Sequence, residues 1–128
     1  EYAFAQKIPY ASIMNQRNEL VKPTAESISA AASGEIPTDT RTSIANSDAT
    51  GAYPIATFTW VIIYKEQNYS DRSKEQAIAT LDLLQYILSD EAQKITSEVH
   101  YAPLPAKAKE LSMKNLKTVT YDGMPILQ

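Results

Sequence analysis

The sequence predicts an α/β fold with a sheet flanked by helices, and three observations carry it. Residues 57–64, TFTWVIIY, are an unbroken β-branched and aromatic run that fits a buried strand. Ala77, Ile78, Leu81, Leu84, Ile87 and Leu88 recur at three- and four-residue spacing, which makes residues 74–88 an amphipathic helix. Two further helical stretches follow, opened by Ser89-Asp90 and by Pro105. The strand-like run marks a change of character, because the chain is turn-rich and polar before it and helical after it.

Composition bounds what such a fold can do. With 128 residues the chain has the size of one domain and can bury roughly two-thirds of the surface its unfolded form exposes. Hydrophobic residues at 44% and charged residues at 21% are near the globular average, so neither disorder nor a membrane protein is indicated. The apolar run around Trp60 is far shorter than the roughly 20 residues of a spanning helix. A formal charge of -3 gives no footprint for nucleic acid. The absence of cysteine excludes disulfides, zinc–thiolate sites and a thiol nucleophile without fixing a compartment. The chain begins at Glu1 rather than at a methionine, no charged n-region or apolar h-region is legible, and it reads as cut from something longer.

Taken in order, residues 2–7 read as a helical turn or two. Residues 8–14 read as an extended edge strand with Pro9, and residues 19–22 as its hairpin partner across a polar turn. Thr24 is an N-cap, Glu26 complements the helix dipole and Gly34 is the expected stop, giving a helix over residues 25–33 with Ala25, Ile28, Ala31 and Ala32 inward. Residues 35–51 form a long polar connection with Pro37 and Gly51 as punctuation. Residues 51–56 are expected to be extended and lightly packed, and residues 60–63 to be a central strand covered by the 74–88 helix. Ser73 with Gln76 makes a capping box for that helix. The next helix turns Ala92, Ile95 and Val99 inward and ends near His100, and Pro103 and Pro105 then force a break. Residues 106–116 form the last helix, with Ala108, Leu111 and Met113 inward. The tail VTYDGMPILQ adds a short strand or packs as coil.

Candidate chemistry is sparse. His100, the single histidine, stands at a helix end, where a contact with the C-terminal dipole outweighs catalysis. Asp82, Asp90, Glu91 and Glu98 fall opposite the apolar stripe and read as a solvated face, since a catalytic carboxylate pair belongs in an apolar cleft. Gly34, Gly51 and Gly123 are too far apart to form a phosphate loop. Tyr53, Phe58, Trp60 and Tyr64 form an aromatic set that reads as core rather than as a stacking platform, because no basic groove accompanies it. Arg41 and Thr42 have the groups to grip an anion, although a lone loop arginine is usually solvated. No catalytic, metal or cofactor site emerges, and an enzyme is not expected.

EYAFA, PTAESISAAASG, AYPIATFTWVIIYK, the amphipathic helix followed by DEAQ, and finally YAPLP occur in that order along nearly the whole chain. Together they resemble the C-terminal portion of the periplasmic phosphate-binding proteins of bacterial ABC phosphate importers. AYPI before a strand ending in YK, and YAPLP after the helical pair, are the specific elements. The resemblance implies part of a type II periplasmic-binding-protein (Venus-flytrap) fold. Residues 1–50 would end one lobe and lead through a loop, 51–56 would be the hinge crossing, and 57–128 would complete the other lobe. It implies inorganic phosphate, an importer permease and the missing N-terminal part as partners, and a periplasmic or cell-surface location, with lipid anchoring of the full-length protein open. The family's ligands are hydroxyls, backbone amides, an Arg and an Asp near a Ser-Gly-Thr-type stretch upstream. Residues 38–42 have the residue types without that motif, so no ligand residue is carried over. A self-standing, oligomerising interaction domain is the alternative.

Overall fold

The computed structural model of the chain describes residues 2–127; Glu1, the first residue of EYAFA, and Gln128, the last of the tail, lie outside them. In chain order the elements are α1 (Tyr2–Ala5), β1 (Ile13–Met14), β2 (Leu20–Val21), α2 (Ala25–Ala31), α3 (Lys74–Leu88), α4 (Asp90–Glu98), α5 (Ala106–Leu116), β3 (Thr120–Tyr121) and β4 (Met124–Pro125). β1 and β2 pair antiparallel, Ile13 with Val21 and Met14 with Leu20, and β3 and β4 form a second antiparallel hairpin. The class is α/β, with far less sheet than the sequence suggests.

The helices form where local chemistry starts them. Thr24 and Ser73 both close capping boxes, Thr24 with Ser27 and Ser73 with Gln76, and Ser89 accepts from the Ala92 N–H to open α4. α3 covers the expected residues. α2 stops short of Gly34, because Ala32 and Ser33 N–H groups tighten onto the Ser29 and Ala30 carbonyls and close the last turn there. Ala25, expected inward, is exposed, while Ala31 and Ala32 are buried. On α4 it is Gln93 that is buried; its Nε2 donates to the Ile87 carbonyl at 2.9 Å and its Oε1 accepts from Leu104 N–H. Ile95 and Val99, expected inward, are about half exposed. The polar anchor takes the inward position because it satisfies the end of α3 and the start of the YAPLP break together.

Two separate cores result. The first gathers Ala31, Ala32, Ile44, Ala52 and Ala56, with Ile28, Ala30, Ala49 and Phe58 packed against it. The second gathers Leu81, Leu116 and Val119, with Ile63, Leu84, Leu88, Ile126 and Leu127 around them, in the layer where α3 packs on α4 and α5. Ala52 is fully buried and Ala56 nearly so, although Ile55 between them is exposed, so these two alanines fasten residues 51–56 to the first core where light packing was expected.

Residues 57–64 depart furthest from expectation. They are not a central strand, and only Ile63 packs toward α3, in the core of Leu81: Ile62 is 93% exposed, Tyr64 70% and Val61 61%. Among the described residues no backbone–backbone hydrogen bond involves residues 57–63; pairing begins only with a parallel bridge between Glu66 and Thr120. β-propensity expresses fit to a pleated, half-buried surface, and it cannot act where no neighbouring strand is present.

Candidate functional site

A depression of about 340 Å³ opens beyond the end of α2, in the long connection. Gln16, Glu35, Thr42, Asn46 and Asp48 contribute its polar lining over a floor of Ala31, Ala32 and Ile44. Two carboxylates and no lysine or arginine line it. A phosphate there would face two like charges at close range, so the depression does not have the electrostatics of an oxyanion site.

Arg41 and Thr42 are not brought together as an anion clamp. Thr42 lines the depression, but Arg41 does not; its Nε lies 3.0 Å from Asp39 Oδ2, and its backbone N–H donates to Asp39 Oδ1. These contacts, the backbone one foremost, hold the Asp39 carboxyl below its ordinary range. The guanidinium is otherwise in water, at 85% side-chain exposure.

His100 is a cap. It follows the last residues of α4 at φ 65°, its N–H bonds to the Ser97 carbonyl, and the Tyr101 N–H reaches back to Thr96. This is the double bond pattern of a Schellman ending, with histidine in the left-handed position that usually falls to glycine. The ring stands 5.1 Å from Phe4. Asp82, Asp90, Glu91 and Glu98 are all exposed, and Asp90 pairs with Lys109. Of the aromatic set only Phe58 packs on a core; Trp60 and Tyr64, expected inside, are exposed, with Trp60 edge-on to Phe58 at 5.7 Å and Tyr64 against Tyr69 at 4.9 Å.

What the fold does build are two carboxylate clamps that sequence reading misses. Asn15, buried in the β1–β2 turn, accepts the Arg17 and Glu19 N–H groups on Oδ1, and its Nδ2 donates to Glu19 Oε2 at 2.8 Å and to the Ala52 carbonyl at 3.2 Å. Glu19 Oε2 also accepts the Gly51 N–H at 2.8 Å. The Asn15 amide and then this N–H hold its carboxyl below the usual range. The first hairpin thereby fixes residues 51–52, where Gly51 sits at φ 69°. Glu66 does the same for the second hairpin. It accepts from the N–H groups of Asn68, Gly123 and Asp122 and from the Thr120 hydroxyl, at 2.8 to 3.1 Å. These donors, Asn68 foremost, lower its pKa from 4.5 to about 2. The Asp122-Gly123 pair, both at positive φ, makes the turn of that hairpin, where the sequence reading expected only a short strand or coil.

Arg72 braces the start of α3. Its Nη1 donates to the Tyr69 hydroxyl at 3.3 Å, and its Nη2 donates to the Gln76 carbonyl at 3.1 Å and to Thr80 Oγ1. Among the described residues no group of three or more histidine, aspartate or glutamate side chains converges as a metal site, and no helix is long and apolar enough to cross a membrane.

Helices packed in a layer, two short hairpins and a β-prone run between two cores make an α/β chain. The chain is similar to the phosphate-binding protein PstS of Methanocaldococcus jannaschii, 28% identical over 127 residues that cover 92% of this chain and 33% of the relative. It is likewise similar to PstS of Xylella fastidiosa, 33% and 32% identical in two strains over 107 residues, covering 81% of this chain and 28% of the relative. No protein-family model matches. The chain thus spans about a third of the length of the curated relatives it matches, consistent with a C-terminal portion of a PstS-like protein.

Proposed function

We propose that the chain is the C-terminal part of a phosphate-binding protein that captures inorganic phosphate and delivers it to the permease of an ABC importer. The single observation that carries this reading is the similarity to PstS from two organisms over most of the chain. In this reading the present residues supply scaffold, and the phosphate ligands belong to the remainder of the polypeptide. The acidic lining of the depression beside α2 supports that division, since no cation there answers an oxyanion. The protein is a binding protein rather than an enzyme and works in the periplasm or at the cell surface.

A crossing between lobes fits residues 57–63 better than 51–56. Ala52 and Ala56 are built into the first core, whereas the following residues span to the second, which takes up Ile63. Isothermal titration calorimetry with inorganic phosphate tests the division of labour. The product of the complete reading frame should bind and the present chain alone should give no heat. Tight binding by the present chain alone, or no binding by the complete product, would overturn it.

A further inference from the structure

We propose that the Asp122-Gly123 turn is a site of spontaneous backbone rearrangement to isoaspartate, and that Glu66, together with Asn68, holds it in check. This is the one place in the chain where an aspartate or asparagine precedes a glycine, and a glycine nitrogen stands beside no Cβ that would obstruct its attack on the preceding side chain. Both residues are exposed. In the reaction the Gly123 nitrogen attacks Cγ of the Asp122 carboxyl in its neutral acid form. The N–Cγ bond forms, the Cγ–OH bond breaks, and the hydroxyl leaves as water with the proton of the nitrogen, closing a five-membered succinimide. Water then opens the ring at either carbonyl, which restores aspartate or leaves the backbone routed through the side chain as isoaspartate. Water is the only co-reactant.

The turn is held against each motion that this chemistry needs. Asp122 and Gly123 stand at φ 53° and 72°, the paired left-handed conformation of a two-residue hairpin turn. Ring closure requires the peptide between them to rotate until the Gly123 nitrogen faces Asp122 Cγ. Glu66 opposes that rotation, because its Oε2 accepts the Gly123 N–H at 3.0 Å and its Oε1 accepts the Asp122 N–H at 3.1 Å. The carboxyl under attack is held as well, since Asn68 Nδ2 donates to Asp122 Oδ1. Asn68 is itself placed by its backbone N–H, which donates to Glu66 Oε1 at 2.9 Å. One carboxylate thus fixes the nucleophile and positions the side chain that fixes the electrophile. With its pKa at about 2, Glu66 remains a charged acceptor in the mildly acidic range, where an ordinary aspartate begins to take up its proton.

The place of the clamp in the fold gives the rearrangement its consequence. Isoaspartate adds a methylene to the main chain, and the register of a hairpin is set by its turn. The pairing of Thr120 with Pro125 and of Tyr121 with Met124 would be lost, as would the bond from the Ile126 N–H to the Val119 carbonyl at 3.1 Å. These contacts place Ile126 and Leu127 against Leu81, Leu116 and Val119. Glu66 therefore guards the turn that ties residues 124–127 to the second core, and this role is independent of the phosphate reading.

Peptide mapping by mass spectrometry, with isoaspartate told from aspartate by its fragmentation, tests the proposal on the chain kept for weeks in mildly acidic buffer. The folded chain should accumulate isoaspartate at residue 122 at least about 10-fold more slowly than an unstructured peptide of the sequence TVTYDGMPIL, because rearrangement must wait for local opening. Glu66→Ala should raise the rate in the chain at least about 10-fold, since both turn amides lose a charged acceptor. Asn68→Ala, which keeps its backbone N–H on Glu66, should raise it by a smaller factor, and it carries the test if Glu66→Ala does not fold. Leu81→Ala is the control for lost stability, because it weakens the second core and leaves the clamp in place. Compared at urea concentrations that bring both variants to the same fraction folded, Leu81→Ala should rearrange more slowly than Glu66→Ala. Three results would overturn the proposal: equal rates in the native chain and the peptide, no acceleration in the folded clamp variants, or equal acceleration in Leu81→Ala.

Discussion

The two cores of this chain are built on different principles. The first is mostly alanine: Ala31, Ala32, Ala52 and Ala56 around Ile44. A buried methyl contributes only about 0.8 kcal/mol, so such a cluster gains little from area alone. Its geometry is fixed instead by polar clamps, with Asn15 and Glu19 holding Gly51 and Ala52, and Ser27 donating to the Lys22 carbonyl at 2.6 Å while its own carbonyl takes the Tyr53 N–H. The second core is aliphatic. Leu81 is fully buried at the centre of the three-helix layer, and burying one such side chain gains about 1.5–3 kcal/mol. Close approach of backbone demands small side chains and hydrogen bonds, whereas helix-on-helix packing leaves room for leucine. The two regions should therefore fail in different ways.

Leu81→Ala should have the largest effect, a loss of about 2–5 kcal/mol from the void and the missing contacts. Urea unfolding followed by helical circular dichroism would measure it, since α3, α4 and α5 carry most of the helix. Amide exchange at Ala32 and Tyr53 in the first region should change little; an equal loss in both regions would show that the cores unfold as one. Asn15→Ala comes next, at about 1–3 kcal/mol, because the Ala52 carbonyl and the turn amides lose their partner. Faster exchange of residues 51–53 with the α3 amides unaffected would confirm that polar clamps govern the first region, and an unchanged first region would refute it.

The smallest effect is a pH dependence in the second region. The Glu66 carboxyl titrates at about 2 in the folded chain instead of 4.5, so the folded state holds its charged form more strongly than the unfolded state does. Its contribution is fully present above pH 4.5 and is lost as the pH falls from there through about 2. The Glu19 and Asp90 carboxyls are likewise held below their ordinary range, Glu19 first by the Asn15 amide and Asp90 by Lys109. The difference between the native chain and Glu66→Gln therefore isolates the clamp: melting temperatures should differ at neutral pH and converge in acid, and parallel curves would remove Glu66 from the pH response.

Legibility divides along the same line as range of interaction. The 74–88 helix and its cap could be read because Ser73, Gln76 and the apolar spacing act within a few residues of one another. The β1–β2 hairpin was legible from its polar turn, while its strands proved far shorter than residues 8–14 suggested. The clamps at Asn15 and Glu66 were not legible, since each depends on a partner 37 or more than 50 residues away along the chain. The exposed acidic side chains of α3 and α4 were legible as a solvated face. The long connection gave no sign that its depression would be acidic.

By itself, then, the sequence determined the helices, their caps, the change of character after residue 56 and, through its motif order, the resemblance to phosphate-binding proteins. It determined these because they rest on local spacing and on residue identity. Only the tertiary structure decided that residues 51–56 belong to the first core and that His100 caps a helix. It alone decided, too, that TFTWVIIY stands without a sheet around it. A strand is made by its neighbours, and without a paired neighbour even the most β-prone residues are left facing water.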